Sequence, residues 1–418
     1  MNLVKELFNI YWSENYSFQP SFSYSDDHIN GLVELAAKHK VLPYLLKFFD
    51  KNQINYQLSE GCQAIVDKFN YERSAWLTFL QMMNKSSEFD YRYVVLKGLT
   101  FESYYPDDRE RFCLDMDIVA CAEDVFWQVM NVALCDKFVM PGMFQLFKSQ
   151  QDEHLEGLAK FGLDYEHIVG GIEVHLRRFQ LTDDTFLHWS MLSEFAVEKM
   201  QVAGVTLYKP NTAVSLVTYL SEMVTRDEVN IRDGYDALRL FSVTYNEQEI
   251  KYITQMVSVL GLEPVLLRIR AFFKQFDSTE PALLMSILPS QFSDSVDALS
   301  HHYQRFYEQY TLIRRIKYRS VYWLRRLMDR LAEKDSLLWL LRLTDKSAVT
   351  QWMFNQGFPI FCLPVDAESQ ELNLPNKLKI GDFQLRCTGG MCFIFAANAI
   401  VTDDDLDMVE QALAQGAI

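Results

Sequence analysis

The chain has 418 residues, 49% of them hydrophobic and 14% aromatic, which is enough apolar material for two or three globular cores. Its 40 basic residues against 56 acidic ones leave a net charge of −16, a balance that disfavours duplex DNA and anionic membrane as partners. Seven cysteines (Cys62, Cys113, Cys121, Cys135, Cys362, Cys387 and Cys392) form no C-x-x-C pair, so buried thiols of a reducing compartment are expected rather than a disulfide framework or a zinc site.

The opening run Met1 to Phe8 carries Glu6 and no long apolar stretch, and nowhere do about 18 apolar residues follow one another, so a cytoplasmic location without membrane spans is expected. Residues 28–85 read as helices, because Leu32, Leu35, Ala36, Val41, Leu45 and Phe49, then Ile65, Phe69, Trp76 and Phe79, recur mainly at three- and four-residue intervals. From Tyr93 the pattern shortens and becomes β-branched. Tyr93 to Leu96, Asp117 to Ala120 and Gly171 to Leu176 read as strands of one mixed sheet, with a helix over Glu123 to Leu134 between them. A further strand is expected over Gly204 to Tyr208, and Pro210-Asn211-Thr212 then introduces a helix over Ala213 to Val224.

Helical character continues to about Leu343. The last part holds short strand-like runs, Phe358 to Leu363, Phe383 to Cys387 and Met391 to Phe395, separated by Pro and Gly-Gly turns. No internal repeat is visible, which excludes a solenoid. The expected organisation is a helical lead-in (1–88), an α+β core with a short mixed sheet (89–210), a helical domain (211–345) and a small β-rich C-terminal segment (346–418).

The residues that carry chemistry lie in the core. Asp115 and Asp117 are one residue apart, so strand alternation puts both carboxylates on one face, with Leu114, Met116 and Ile118 on the other. Like charges so close repel unless a cation holds both ionised, and hard oxygen ligands suit Mg²⁺; phosphoryl or nucleotidyl transfer is the chemistry most often built on such a pair. Gly98 stands between a strand and a helical stretch, Leu99 to Tyr104, where a glycine lets backbone N–H groups approach a triphosphate. Lys97 adds a point charge, and the guanidinium of Arg111 can pair with phosphate or brace the carboxylates. Further on, Glu173 and His175 share a face of the Gly171 to Leu176 strand.

In this order, Leu96-Lys97-Gly98, Tyr105-Pro106, Arg111, Asp115-x-Asp117 and Glu173-x-His175 resemble an uncharacterised family of the polymerase-β-like nucleotidyltransferase superfamily. The resemblance covers roughly residues 30–240, from Leu35 to Leu45, similar to that family's "LA…H.v.P.L" segment, to Arg232-Asp233-Gly234-Tyr235-Asp236, similar to its helical R…D element. It implies a polymerase-β-like core and a Mg²⁺-dependent enzyme that moves a nucleoside monophosphate from ATP to a hydroxyl-type acceptor. It also implies a third metal-binding carboxylate, which Glu173 matches. Asp115, Asp117 and Glu173 would then hold two Mg²⁺ ions, Lys97, Gly98 and Arg111 would serve the nucleotide, and His175 would orient the acceptor, accept its proton or hydrogen-bond Glu173. The superfamily usually has Gly-Ser at the turn, whereas Leu99 follows Gly98 here.

The acidic chain favours a small molecule, peptide or protein as acceptor over RNA. Two other readings stay open: a non-catalytic nucleotide sensor or interaction module, and an RNA-modifying transferase that uses the Arg315, Arg319, Arg326 and Arg330 face with Tyr322. That basic stripe reads more simply as a solvated helix face. Asp403-Asp404-Asp405-Leu406-Asp407 reads as a helix start rather than a calcium loop, since the loop glycine and terminal Glu are missing. The histidines His28, His39, His154, His167, His188, His301 and His302 show no ligand spacing.

Overall fold

The computed structural model describes residues 2–288, apart from short breaks of which the longest is 163–170, together with strands between residues 361 and 396 and residues 407, 408, 411 and 412. The Arg315 to Arg330 stripe, Asp403 to Asp405, His154, His167, His301 and His302 lie outside the described residues. The fold is mixed α and β, mainly helical, with one five-stranded sheet. Among the described residues no helix is long and apolar enough to cross a membrane.

The chain divides into two compact units, one of residues 1–85, 94–117 and 180–300, the other of 86–93, 118–179 and 301–418. Four helices open the first unit: α1 (Leu3–Trp12), α2 (Asp26–Lys38), α3 (Leu42–Lys51) and α4 (Glu60–Lys85). Their starts follow local chemistry. Asn2 and Ser25 cap α1 and α2 by accepting the backbone N–H of Val4 and His28, and Pro43 sits in the first turn of α3, where a missing N–H costs nothing.

Five helices close the same unit: α6 (Thr212–Val224), α7 (Ile231–Phe241), α8 (Glu247–Leu260), α9 (Glu263–Gln275) and α10 (Ala282–Ile287). Asn211 accepts the N–H of Val214 at 3.0 Å, so the expected start of α6 is capped by the residue after Pro210. Helix α8 has a reciprocal capping box between Asn246 and Glu249 and ends at Gly261, whose φ of +62° is the left-handed conformation that favours glycine. From Ala213 to Ser221 every residue of α6 is buried, which makes it the central helix of the unit. Two of its buried hydroxyls avoid a desolvation penalty by bonding within the helix, Thr218 to the Ser215 carbonyl and Ser221 to that of Val217, each at 2.9 Å.

Several aromatic residues of the first unit pack into one cluster. Phe8 stacks on Phe276 at 4.2 Å, Tyr11 meets Tyr44 and Tyr235 edge-on, and Phe272 packs against Phe8, Trp12, Phe273 and Phe276. Burying each such ring contributes about 1.5–3 kcal/mol, to which ring–ring geometry adds about 0.5–1.5. Gly234 on α7 faces this cluster: a Cβ there would lie 2.0 Å from Cε1 of Phe272. Gly234→Ala is therefore expected to destabilise the protein by about 1–3 kcal/mol or more through overpacking, read as a lower midpoint of urea unfolding.

The sheet has the order β1-β2-β5-β4-β3, where β1 is Tyr93–Leu96, β2 Met116–Ala120, β3 Val139–Lys148, β4 Leu155–Gly162 and β5 Ile172–Leu176. Both β1 and β2 are buried along their whole length, as expected of short apolar runs inside a sheet. Helix α5 (Glu123–Leu134) matches its expected span and packs against β3, β4 and β5. The sequence reading lacked β3 and β4. Pro141-Gly142 and the glycines at 157 and 162 read as turn signals, yet β3 and β4 pair antiparallel, with a register irregularity between Val139 and Met143 that accommodates the Pro-Gly step.

The expected helix after Gly98 begins earlier, at Lys97, and is a 3₁₀ segment, Lys97–Tyr104. Hydroxyls three residues apart support that tighter winding: Thr100 Oγ1 donates to the Lys97 carbonyl at 2.6 Å, and Ser103 Oγ to that of Thr100 at 2.7 Å. Two hairpins follow the sheet, β6 (Arg178–Thr182) with β7 (Thr185–His188), and β8 (Glu198–Val202) with β9 (Val205–Lys209). Near the C-terminus a separate antiparallel sheet has the order β10-β13-β12-β11, with β10 Phe361–Pro364, β11 Asn376–Ile380, β12 Phe383–Thr388 and β13 Met391–Ala396. Strand β11 is an addition to the three expected runs; its Lys-Leu-Lys alternation beside Pro375 carries a weak strand signal.

Candidate functional site

Adjacent strands of the five-stranded sheet, β2 and β5, present Asp117, Glu173 and His175 together. One ligand atom from each lies within 4.8 Å of the others, and Asp117 and His175 are buried while Glu173 is half-buried. The period of two along β5 explains the pairing of Glu173 with His175, since Ile172, Val174 and Leu176 point away and are fully buried. Register then supplies a counter-charge: Lys160 on β4 sits directly opposite Glu173 and forms an ion pair with it. Nε2 of His175 lies 3.8 Å from Glu173 Oε2, and its ring packs edge-on against Phe179 at 4.8 Å.

Asp115 stands apart from this trio. It immediately precedes β2 and remains open to solvent, although protein atoms crowd around it. Crowding and the charge of Glu222 push its carboxyl up, but Arg232, Lys40 and Arg111 outweigh them and hold it below the ordinary carboxylate range. The structure thus gathers one of the two expected aspartates with Glu173 and His175 and sets the other among cations.

Lys97 and Gly98 lie where β1 ends. Lys97 takes a φ of +54°, unusual for a residue with a side chain, and its Nζ is 3.7 Å from Oδ2 of Asp117. A Cβ on Gly98 would come within 2.7 Å of the Cys113 sulfur and 3.3 Å of Arg111 Nη1, so the close approach that demands glycine here is to the protein's own side chains. Burial and the nearby Asp115 push the Cys113 thiol up to about 12, so it is a neutral packing group at ordinary pH.

Arg111 is anchored rather than extended. Its Nε and Nη2 donate to the two oxygens of Asp236, each at 2.8 Å, and Tyr105 donates its hydroxyl to the same carboxylate at 2.7 Å. Although burial opposes the charge, Asp236 keeps the guanidinium firmly protonated. Asp233 is held in a similar way, by Arg226 at 3.0 Å and Arg232 at 3.1 Å. The two aspartates of the Arg232 to Asp236 run therefore serve as fixed anions under a set of arginines.

Sequence reading missed Glu222, Arg226 and Lys40 as members of this network. Glu222 and Arg226 form an ion pair at helical i, i+4 spacing, the signal that would have found them. Burial pushes the Glu222 carboxyl up, but Arg226, Lys97 and Arg232 hold it down at about 2. Because its folded-state value is depressed, its stabilising contribution is complete above the unfolded-state value and is lost as pH falls toward 2. Glu222→Gln should accordingly cost on the order of 3 kcal/mol at most near neutral pH. The gap from wild type should close between about pH 4.5 and 2 in denaturant titrations.

No model of a known protein family matches the chain, and no curated protein matches it. Among solved structures it is similar to the crystal structure of an antigenic nucleotidyltransferase-like protein from Paracoccidioides brasiliensis, at 12% identity and a TM-score of 0.27, over 48% of this chain and 90% of that one. A likeness of that size assigns neither fold nor function.

Proposed function

We propose that the protein is a divalent-cation-dependent nucleotidyltransferase with a polymerase-β-like core. It would transfer a nucleoside monophosphate, AMP from ATP, to a hydroxyl on a small molecule, peptide or protein. The observation that carries this reading is the grouping of Asp117, Glu173 and His175 on adjacent strands. Two carboxylate oxygens and an imidazole nitrogen are a donor set that fits a divalent ion; the carboxylates suit Mg²⁺, and the nitrogen also admits Mn²⁺. When bound there, such an ion would neutralise phosphate oxygens and lower the pKa of an attacking hydroxyl.

The chain's own residues would do the rest. Lys97, Lys40 and Arg232, which surround Asp115 and Asp117, would draw in the phosphates, and the rigid turn at Gly98 would keep Lys97 in place. The acceptor oxygen would bond to the α-phosphorus as the bond from that phosphorus to the bridging oxygen breaks. Pyrophosphate leaves with the bond's electron pair, and the hydroxyl proton passes to solvent, or to His175 if the two carboxylates alone hold the cation.

The test is calorimetric titration of ATP with Mg²⁺, with Mn²⁺ and with chelator, coupled to assay of pyrophosphate release against a panel of hydroxyl-bearing acceptors. Cation-dependent ATP binding with release is the expected result. ATP binding that ignores the cation would defeat the reading.

A further inference from the structure

Both carboxylates of the Asp117, Glu173 and His175 cluster carry a lysine in the structure. Nζ of Lys97 stands 3.7 Å from Oδ2 of Asp117, and Nζ of Lys160 forms an ion pair with Oε1 of Glu173. The second pair is built into the sheet. Lys160 on β4 and Glu173 on β5 are direct antiparallel partners, a relation that sets their Cβ atoms about 4.5–5.5 Å apart on one face. The two oxygens of Glu173 are divided, Oε1 taken by Lys160 while Oε2 faces Nε2 of His175 at 3.8 Å. About a quarter of each side chain is exposed, 25% for Lys160 and 27% for Glu173, so this pair can exchange partners with a solute, as the buried pair of Arg111 and Asp236 cannot.

That arrangement decides what the cluster accepts. A divalent ion held by Asp117, Glu173 and His175 would share its carboxylates with two ammonium groups, and like charges in a half-buried site repel with little screening. A polyphosphate reverses the balance. Its oxygens bind the cation and also give the ammonium groups new anionic partners. Lysine suits the exchange, because its point charge rides on a flexible four-carbon stem and can leave a carboxylate for a phosphate oxygen while the strand stays still. Of the two lysines, Lys160 isolates the effect, since Lys97 also helps to hold the Glu222 carboxyl down and takes a positive φ.

We propose that Lys160 is a specificity-determining residue that keeps the bare cation out of the cluster and commits it to a divalent cation already complexed to a nucleoside triphosphate. The proposal rests on the nucleotidyl-transfer reading above, whose cation site it describes. Before the complex enters, Lys160 holds Glu173; afterwards it gives up the carboxylate to the cation and turns to the phosphates. Cation and nucleotide then raise each other's affinity by the same factor, as linkage requires.

The test uses the full chain, Mn²⁺ as the cation and α,β-methylene ATP, an analogue that cannot release pyrophosphate. Calorimetry reads two affinities, that for Mn²⁺ alone and that for the analogue with saturating Mn²⁺ or with chelator. In the wild type, Mn²⁺ should tighten binding of the analogue by at least about tenfold. In Lys160→Met the two affinities should move in opposite directions, Mn²⁺ alone binding at least about fivefold tighter and the analogue with Mn²⁺ at least about fivefold weaker. A merely structural role would weaken both. Lys160→Arg keeps the charge and should return both affinities to within about threefold of wild type. Melting temperatures should stay near that of wild type, because a partly exposed ion pair adds little to stability.

If Mn²⁺ alone binds Lys160→Met no tighter than wild type, if the analogue with Mn²⁺ binds it no weaker, or if Lys160→Arg restores neither, the inference is overturned while the transferase reading keeps its own test. If the wild type binds the analogue equally with Mn²⁺ and with chelator, the transferase reading fails and this inference falls with it. Should Lys160→Met melt early, Lys160→Gln goes through the same titrations and decides by the same criteria.

Discussion

Asp117→Asn is expected to abolish cation-dependent ATP binding and nucleotidyl transfer while leaving the fold intact. The substitution keeps shape and volume but removes the negative charge, and Asp117 contributes the only ligand from β2 to the trio with Glu173 and His175. Changing a partner that merely orients a metal ligand costs 10–100-fold in metal affinity, so loss of a ligand itself should exceed about 100-fold. Stability should change little or rise, because a carboxylate 7% exposed loses its desolvation cost and Lys97, 3.7 Å away, is itself partly solvated. The measurements are Mn²⁺ affinity by calorimetry, transfer on an identified acceptor and thermal unfolding. Retained transfer would remove Asp117 from the metal site; a collapse of the melting transition would recast it as a structural anion.

The comparison with Asp115 shows how far the sequence could be read. Alternation correctly says that residues two apart share a face of a strand, and it places Glu173 with His175 on β5. It does not say where the strand starts. Because β2 begins at Met116, Asp115 belongs to the preceding segment and is free to turn toward Arg232 and Lys40. The runs Tyr93 to Leu96 and Glu123 to Leu134 were legible because burial on all sides and a clean 3.6-residue period leave little ambiguity. The long pair β3 and β4 was not, since Pro, Gly and Ala carry no strand signal and the pairing between distant residues holds it. Lys160 became visible only through register, which no local pattern encodes.

Arg111 illustrates the same limit with a larger energetic consequence. Its type and position invite a phosphate contact, but the partner that holds it, Asp236, lies 125 residues away on α7 and only the tertiary fold joins them. The pair is 3% and 1% exposed. Asp236→Ala would therefore strand a buried guanidinium and deprive the Tyr105 hydroxyl of its acceptor, a loss expected to reach about 3–5 kcal/mol. Asp236→Asn should cost less, because the amide oxygen can still accept one of the hydrogen bonds. The double variant Arg111→Met with Asp236→Leu should recover most of the stability, since replacing both partners by apolar groups removes the uncompensated charge along with its counter-ion. Urea denaturation of the wild type, Arg111→Met, Asp236→Leu and the double variant completes a cycle that separates the pair's own contribution from the penalty of breaking it. If Asp236→Ala costs under about 1 kcal/mol, the guanidinium must find another anion or water, and the rigidity assigned to the turn at Gly98 fails with it.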